Sequence, residues 1–106
     1  MNPAPIGLMG GTFDPPHYAH LRLAEEARET LGLAAVRWIP SGRPGHRGDP
    51  ATSALHRLEM VRLAIAGHPD FTLDDAEIRA AAPTFTIDTL TRLRAELGEH
   101  VPLVMI

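Results

Sequence analysis

Residues 6–32 read IGLMGGTFDPPHYAHLRLAEEARETLG, and this stretch decides the fold. The apolar run Ile6–Met9 stops at Gly10-Gly11, which predicts a short buried strand. Pro16 suits the first position of a helix, where its missing N–H costs nothing. Leu21, Ala24, Ala27 and Leu31 then recur at helical spacing, with Glu25, Glu26, Arg28 and Glu29 on an outer face. Gly32 closes the helix at C′. A plain strand-to-helix connection needs one turn residue and one cap. This one holds two glycines, a Thr, an Asp-Pro-Pro turn and two histidines.

The same alternation runs outward along the chain. AVRWIP (35–40) predicts a second strand ended by Pro40, with Trp38 in the core, and SGRPGHRGDPAT (41–52) is a loop dense in Gly and Pro. Ser53 can cap a second helix carrying Leu55, Leu58, Val61, Ala64 and Ile65 inward, with Gly67 at its end. FTLDDAEI (71–78) reads as a third strand. Thr86 can cap a third helix, with Ile87, Leu90, Leu93 and Leu97 inward and Gly98 as its stop. VPLVMI (101–106) reads as a fourth, buried strand. The order β-α-β-α-β-α-β predicts an α/β fold with a doubly wound parallel sheet. In such sheets ligands sit beyond the C-terminal ends of the strands. Nothing follows the last strand here, so residues 1–106 are expected to be the N-terminal part of a single domain whose C-terminal part is absent.

Composition narrows the classes of function. At 106 residues and 44% hydrophobic content the chain can build one real core. A net charge of −3 gives no footprint for bulk nucleic-acid binding. All ten basic residues are Arg, which suits bidentate phosphate contacts, although a GC-rich coding sequence explains it as well. With no Cys, disulfides and thiolate metal sites are excluded. No apolar run approaches the roughly 18 residues of a membrane span, and the N-terminus is not a signal peptide. The expectation is a cytoplasmic protein without membrane or nucleic-acid partners.

The first strand–helix turn carries the chemistry. Gly10-Gly11 lets the backbone approach a ligand that a Cβ would repel. A helix starting near Pro16 or His17 aims free N–H groups and a partial positive charge at the same place. His17 and His20, three apart in the first turn, share a face and can donate to phosphate oxygens; Thr12 adds a hydroxyl. The pattern is neither G-x-G-x-x-G nor the Walker loop. A zinc site would need a third ligand beside H-x-x-H, and none is near. A tight turn with surface histidines accounts for the same spacing. Asp14 reads as a turn-former rather than a catalyst.

These residues resemble a family. GGTFDPPHYAH is similar to the signature of the nucleotidyltransferases of the [HT]-x-G-H superfamily, and most of all to bacterial nicotinate-nucleotide adenylyltransferases. VRWIPSGRPGHR resembles that family's second strand and PPHK/R loop, SALHRLEMVRLAI its next helix, and APTFTIDTL its GPSYTIDTL segment. Ala19 stands where the family has Gly, and Gly45 where it has the second Pro of its loop. The family's later GxD turn, substrate-binding Trp and ISST-x-[IV]-R segment are not in the chain.

The resemblance implies a Rossmann-like sheet in the order 3-2-1-4, stopping before a fifth strand. It implies adenylyl transfer from ATP to nicotinate mononucleotide, giving deamido-NAD and pyrophosphate. His17 and His20 would be catalytic. Gly10, Gly11, Thr12, Phe13, His46 and Arg47 would bind the ATP phosphates. Thr12, Thr84, Phe85 and Thr86 would hold nicotinate mononucleotide, and Mg²⁺ would arrive with ATP rather than in a protein cage. A phosphopantetheine adenylyltransferase-like enzyme and a non-catalytic nucleotide-binding fragment stay open as alternatives, as does a homo-oligomer.

Overall fold

A computed structural model describes residues 3–42, 53–80 and 84–106. Four parallel strands, β1 (Ile6–Gly11), β2 (Ala35–Pro40), β3 (Phe71–Leu73) and β4 (Leu103–Met105), form one sheet in the order β3-β2-β1-β4. Helices α1 (Tyr18–Leu31), α2 (Ala54–Ile65), α3 (Ala76–Arg79) and α4 (Thr86–Leu97) connect them. The register sets Gly10 beside Ile39, Gly11 beside Pro40 and Leu8 beside Met105. The Rossmann-like 3-2-1-4 order expected from the resemblance is the one observed.

Both faces of the sheet are covered, as a parallel sheet requires. Met9, Val36, Trp38 and Phe71 pack with Ala24 of α1 and Val61 and Ile65 of α2. On the other face Leu8 and Ile39 pack on Leu93 of α4, flanked by Leu90, Leu97 and Leu103. Successive residues of β1 and β2 therefore feed opposite cores. Trp38 is fully buried, as expected. Gly7 has a packing reason that its neighbours in sequence do not reveal: an added Cβ would lie 2.7 Å from Leu33 Cδ1.

Several boundaries differ from the sequence reading. β1 runs through Gly10 and Gly11 instead of stopping before them. Pro16 precedes the helix; His17 is the N-cap and Tyr18 the first helical residue. The stretch 71–78 is not one strand. Asp74 Oδ1 accepts the Ala76 N–H at 3.0 Å, and that bond turns the chain into α3. Thr86 is not the cap of α4 but its first residue; Phe85 is the cap, and Asp88 Oδ2 accepts its N–H at 3.0 Å. The last strand is limited to Leu103–Met105. Leu31, Leu55 and Ile87 face outward, because each helix buries a narrower stripe than its apolar content suggests. Ser53 caps α2 through Oγ, Gly32 (φ 64°) ends α1, and Gly98 (φ 94°) ends α4, all as expected.

Candidate phosphate-binding crevice

The site lies at the C-terminal ends of β1 and β2, where the turn after β1 enters α1. His17 Nδ1 accepts the Ala19 N–H at 3.3 Å, and His20 Nδ1 accepts the His17 N–H at 3.0 Å. The two histidines thus form a reciprocal cap on α1. Their ring centroids are 4.2 Å apart. Since each Nδ1 is an acceptor, a neutral ring carries its proton on Nε2. The result is a pair of adjacent N–H donors held by the backbone that they cap. This arrangement uses up part of what the sequence suggested was free. The Ala19 and His20 N–H groups both bond to His17 and are not open to an anion.

Burial, and secondarily the neighbouring His17 charge, hold the His20 imidazole below its ordinary range. Its ring meets Phe13 edge-on at 5.0 Å, and Phe13 in turn leans on Trp38 at 5.4 Å. Phe13 is buried and takes φ 53°, a left-handed conformation that costs a non-glycine residue about 1 kcal/mol. Its side chain belongs to the core.

Gly10 and Gly11 differ in what requires them. A Cβ on Gly11 would press on the Phe13 ring at 3.2 Å, whereas one on Gly10 would meet nothing closer than 3.9 Å and would project into the crevice. Gly10 therefore leaves room for something outside the chain. Beside it is a small cavity of about 60 Å³, lined by Gly10, Ile39, Glu77, Thr86, Thr89 and Met105 among others. The Thr89 hydroxyl donates to Glu77 Oε2 at 2.8 Å. Burial pushes the Glu77 carboxyl up, with Asp74 adding to it, while the Thr89 bond and Arg92 oppose.

The expected residues separate into groups. Gly10, Gly11, Thr12, His17 and His20 come together around the first turn. Thr86 shares the cavity with Gly10; Thr84 and Phe85 precede it at the mouth of α4, with the Phe85 ring exposed. His46 and Arg47 lie outside the described residues. Among the described residues no three His, Cys, Asp or Glu side chains converge as a metal cage. No described helix is long and apolar enough to cross a membrane.

Sequence reading missed Arg57. It is 1% exposed, and its guanidinium donates to the carbonyls of Thr12 (2.8 Å), Ser41 (2.7 Å) and Gly42 (3.2 Å). Burial lowers its pKa against the opposing Asp14 charge, and an arginine guanidinium stays charged even so. Ser41 N–H also donates to Gly11 O at 2.9 Å. The signal was present: Arg57 sits on the stripe that Val61 and Ile65 bury, four and eight residues on.

Three comparisons bear on this geometry. The family described as cytidylyltransferase-like matches residues 8–104. A probable nicotinate-nucleotide adenylyltransferase of Dechloromonas aromatica is 58% identical over 102 residues, covering 96% of this chain and 47% of that protein. A second of the same description, from Aeromonas salmonicida, is 54% identical over 96 residues, covering 91% and 45%. The chain therefore spans about half the length of the relatives it matches. Among solved structures, nicotinic acid mononucleotide adenylyltransferase of Plasmodium falciparum, complexed with NaAD, superposes with a TM-score of 0.80. That match covers 96% of this chain and 50% of the other at 21% identity, a likeness of fold.

Proposed function

The chain belongs to the cytidylyltransferase-like family, and from that premise we propose that it supplies the N-terminal half of a nicotinate-nucleotide adenylyltransferase domain. The reaction joins ATP and nicotinate mononucleotide. An oxygen of the acceptor phosphate bonds to the α-phosphorus of ATP, the bond to the bridging oxygen breaks, and pyrophosphate leaves. The product is deamido-NAD. The observation that carries this reading is the His17–His20 pair, two Nε2–H donors fixed at the start of α1, in the turn that follows the Gly10-Gly11 end of β1.

The nucleophile belongs to the substrate, so the protein has only to position and to stabilise charge. His17 and His20 donate to the phosphate oxygens of ATP as negative charge builds on the transferring group and on departing pyrophosphate. Gly10, Gly11 and Thr12 admit the two phosphates to one place, with the Thr12 hydroxyl on the acceptor. Thr86, which lines the cavity with Gly10, and Thr84 and Phe85 before it hold the nicotinate end. His46 and Arg47 reach the β- and γ-phosphates. Mg²⁺ would be held by ATP oxygens rather than by side chains of this chain, and when bound it neutralises phosphate charge. Dissolved nucleotides are the partners, which fits a cytoplasmic enzyme.

The test is pyrophosphate release by the complete gene product with ATP and each of three acceptors. Nicotinate mononucleotide should be used best. A preference for nicotinamide mononucleotide or phosphopantetheine replaces the acceptor assignment. Nucleotide binding without turnover makes the protein a binding module.

A further inference from the structure

We propose that Arg57 is the positioning residue of the phosphate site: by turning three loop carbonyls inward it presents the Phe13 and Gly42 N–H groups to the bound anion. The proposal rests on the adenylyl-transfer reading and deepens it.

In a trans peptide the C=O and the following N–H point in opposite directions. Among the described residues the cis bond is Asp14–Pro15, so the Thr12–Phe13 and Ser41–Gly42 units are trans. Arg57 takes the Thr12 and Ser41 carbonyls on Nη1. The Phe13 and Gly42 N–H groups are thereby sent away from the buried guanidinium. Neither meets an acceptor among the described residues. Unmet N–H donors on two adjacent loops make a concavity suited to anions.

The loops are pinned from both sides. Ser41 N–H bonds Gly11 O, which ties the end of β2 to the end of β1. Gly42 packs so closely on α3 that a Cβ would lie 2.2 Å from Glu77 O. Phe13 is held at φ 53°, and the Thr12 carbonyl that precedes it is one that Arg57 grips. A lysine could keep the charge at position 57, but its single ammonium lacks the planar fork that spans both loops.

The test uses ¹⁵N-labelled complete gene product titrated with inorganic pyrophosphate and with ATP. The Phe13 and Gly42 amides should show the largest downfield shifts. In R57K those shifts should disappear and pyrophosphate affinity should fall about tenfold, the scale of one lost charge-assisted contact. V61A, a core change on the same helix, serves as a destabilised control and should keep wild-type affinity while folded. If pyrophosphate binds wild type and shifts other amides instead, the proposal is overturned, whether or not R57K folds. It is equally overturned if folded R57K binds pyrophosphate as wild type does. Wild type that binds neither pyrophosphate nor ATP refutes the adenylyl-transfer reading itself.

Discussion

His20 joins structure and chemistry in one ring. Its Nδ1 caps α1 by accepting the His17 N–H, and its Nε2 is left as the donor that phosphate would meet. The cap needs the neutral form, since only then can Nδ1 accept, and burial beside His17 favours that form by lowering its pKa. The unfolded chain takes up this proton near pH 6.5 and the folded chain only at lower pH. Stability should therefore fall as pH drops from about 6.5 through the folded value. H20A should remove that share of the acid sensitivity and lower kcat about 100-fold, the scale of one lost transition-state donor, while ATP affinity changes by no more than about threefold. Tm against pH and steady-state kinetics read both effects. An unchanged kcat with weakened ATP binding would make His20 a ground-state ligand. The histidine pair was legible in the sequence because three-residue spacing puts both rings on one face. For Arg57 the stripe with Val61 and Ile65 marks burial alone; its role is not legible, because its partners are carbonyls 45, 16 and 15 residues away, which no local pattern encodes.

Among the elements, the long ones were readable and the short connections were not. α1 and α2 carry repeated apolar positions and side-chain or glycine caps. The stretch 71–78 instead looked extended throughout, and one buried carboxylate decides otherwise. Asp74 ends β3, starts α3 through Ala76, and takes Arg37 (3.3 Å) and Arg92 (3.0 Å) from two other elements. That convergence is tertiary and overrides strand propensity. The same turn brings Glu77 into the cavity under the Thr89 hydroxyl. Because burial raises the Glu77 pKa, the folded chain holds that proton at pH values where the unfolded chain has released it. Stability then declines as pH rises from about 4.5 through the folded value, and the cost persists above it. E77Q keeps an acceptor for Thr89 and removes the charge. Its Tm should exceed that of wild type at pH 7 and match it near pH 4. A lower Tm at pH 7 would mean that the carboxylate contributes more through Thr89 and Arg92 than burial takes away.

For the molecule as a whole, the 3-2-1-4 order sets where a ligand can enter. The chain leaves β1 toward β2 and β3 with α1 and α2 on one face, then returns to β4 with α4 on the other. The connections diverge between β1 and β4, and the crevice at such a switch point is where α/β sheets bind ligands. There this chain lines a small cavity with Gly10 and Ile39 from the strands and with Glu77, Thr86, Thr89 and Met105 around them. β4 is an edge of the described sheet, and Met105 on it is 58% exposed. An uncovered strand edge invites pairing with another chain. We therefore expect the 106-residue polypeptide, expressed alone, to self-associate and to release pyrophosphate at under about 1% of the rate of a covered form, since pairing at the β4 edge displaces positioning contacts beside Met105. The covered form can be made by joining residues 1–106 to the remaining part of the Dechloromonas aromatica relative, which is 58% identical across the shared half. Core volumes at the junction should then be near native, and hydrophobic cores tolerate such conservative repacking. Light scattering should find the fusion monodisperse, and it should turn over ATP and nicotinate mononucleotide. A monodisperse 106-residue chain with full turnover would show that the crevice needs no cover on β4. An inactive but folded fusion would place the fault in the Gly10–His20 wall itself.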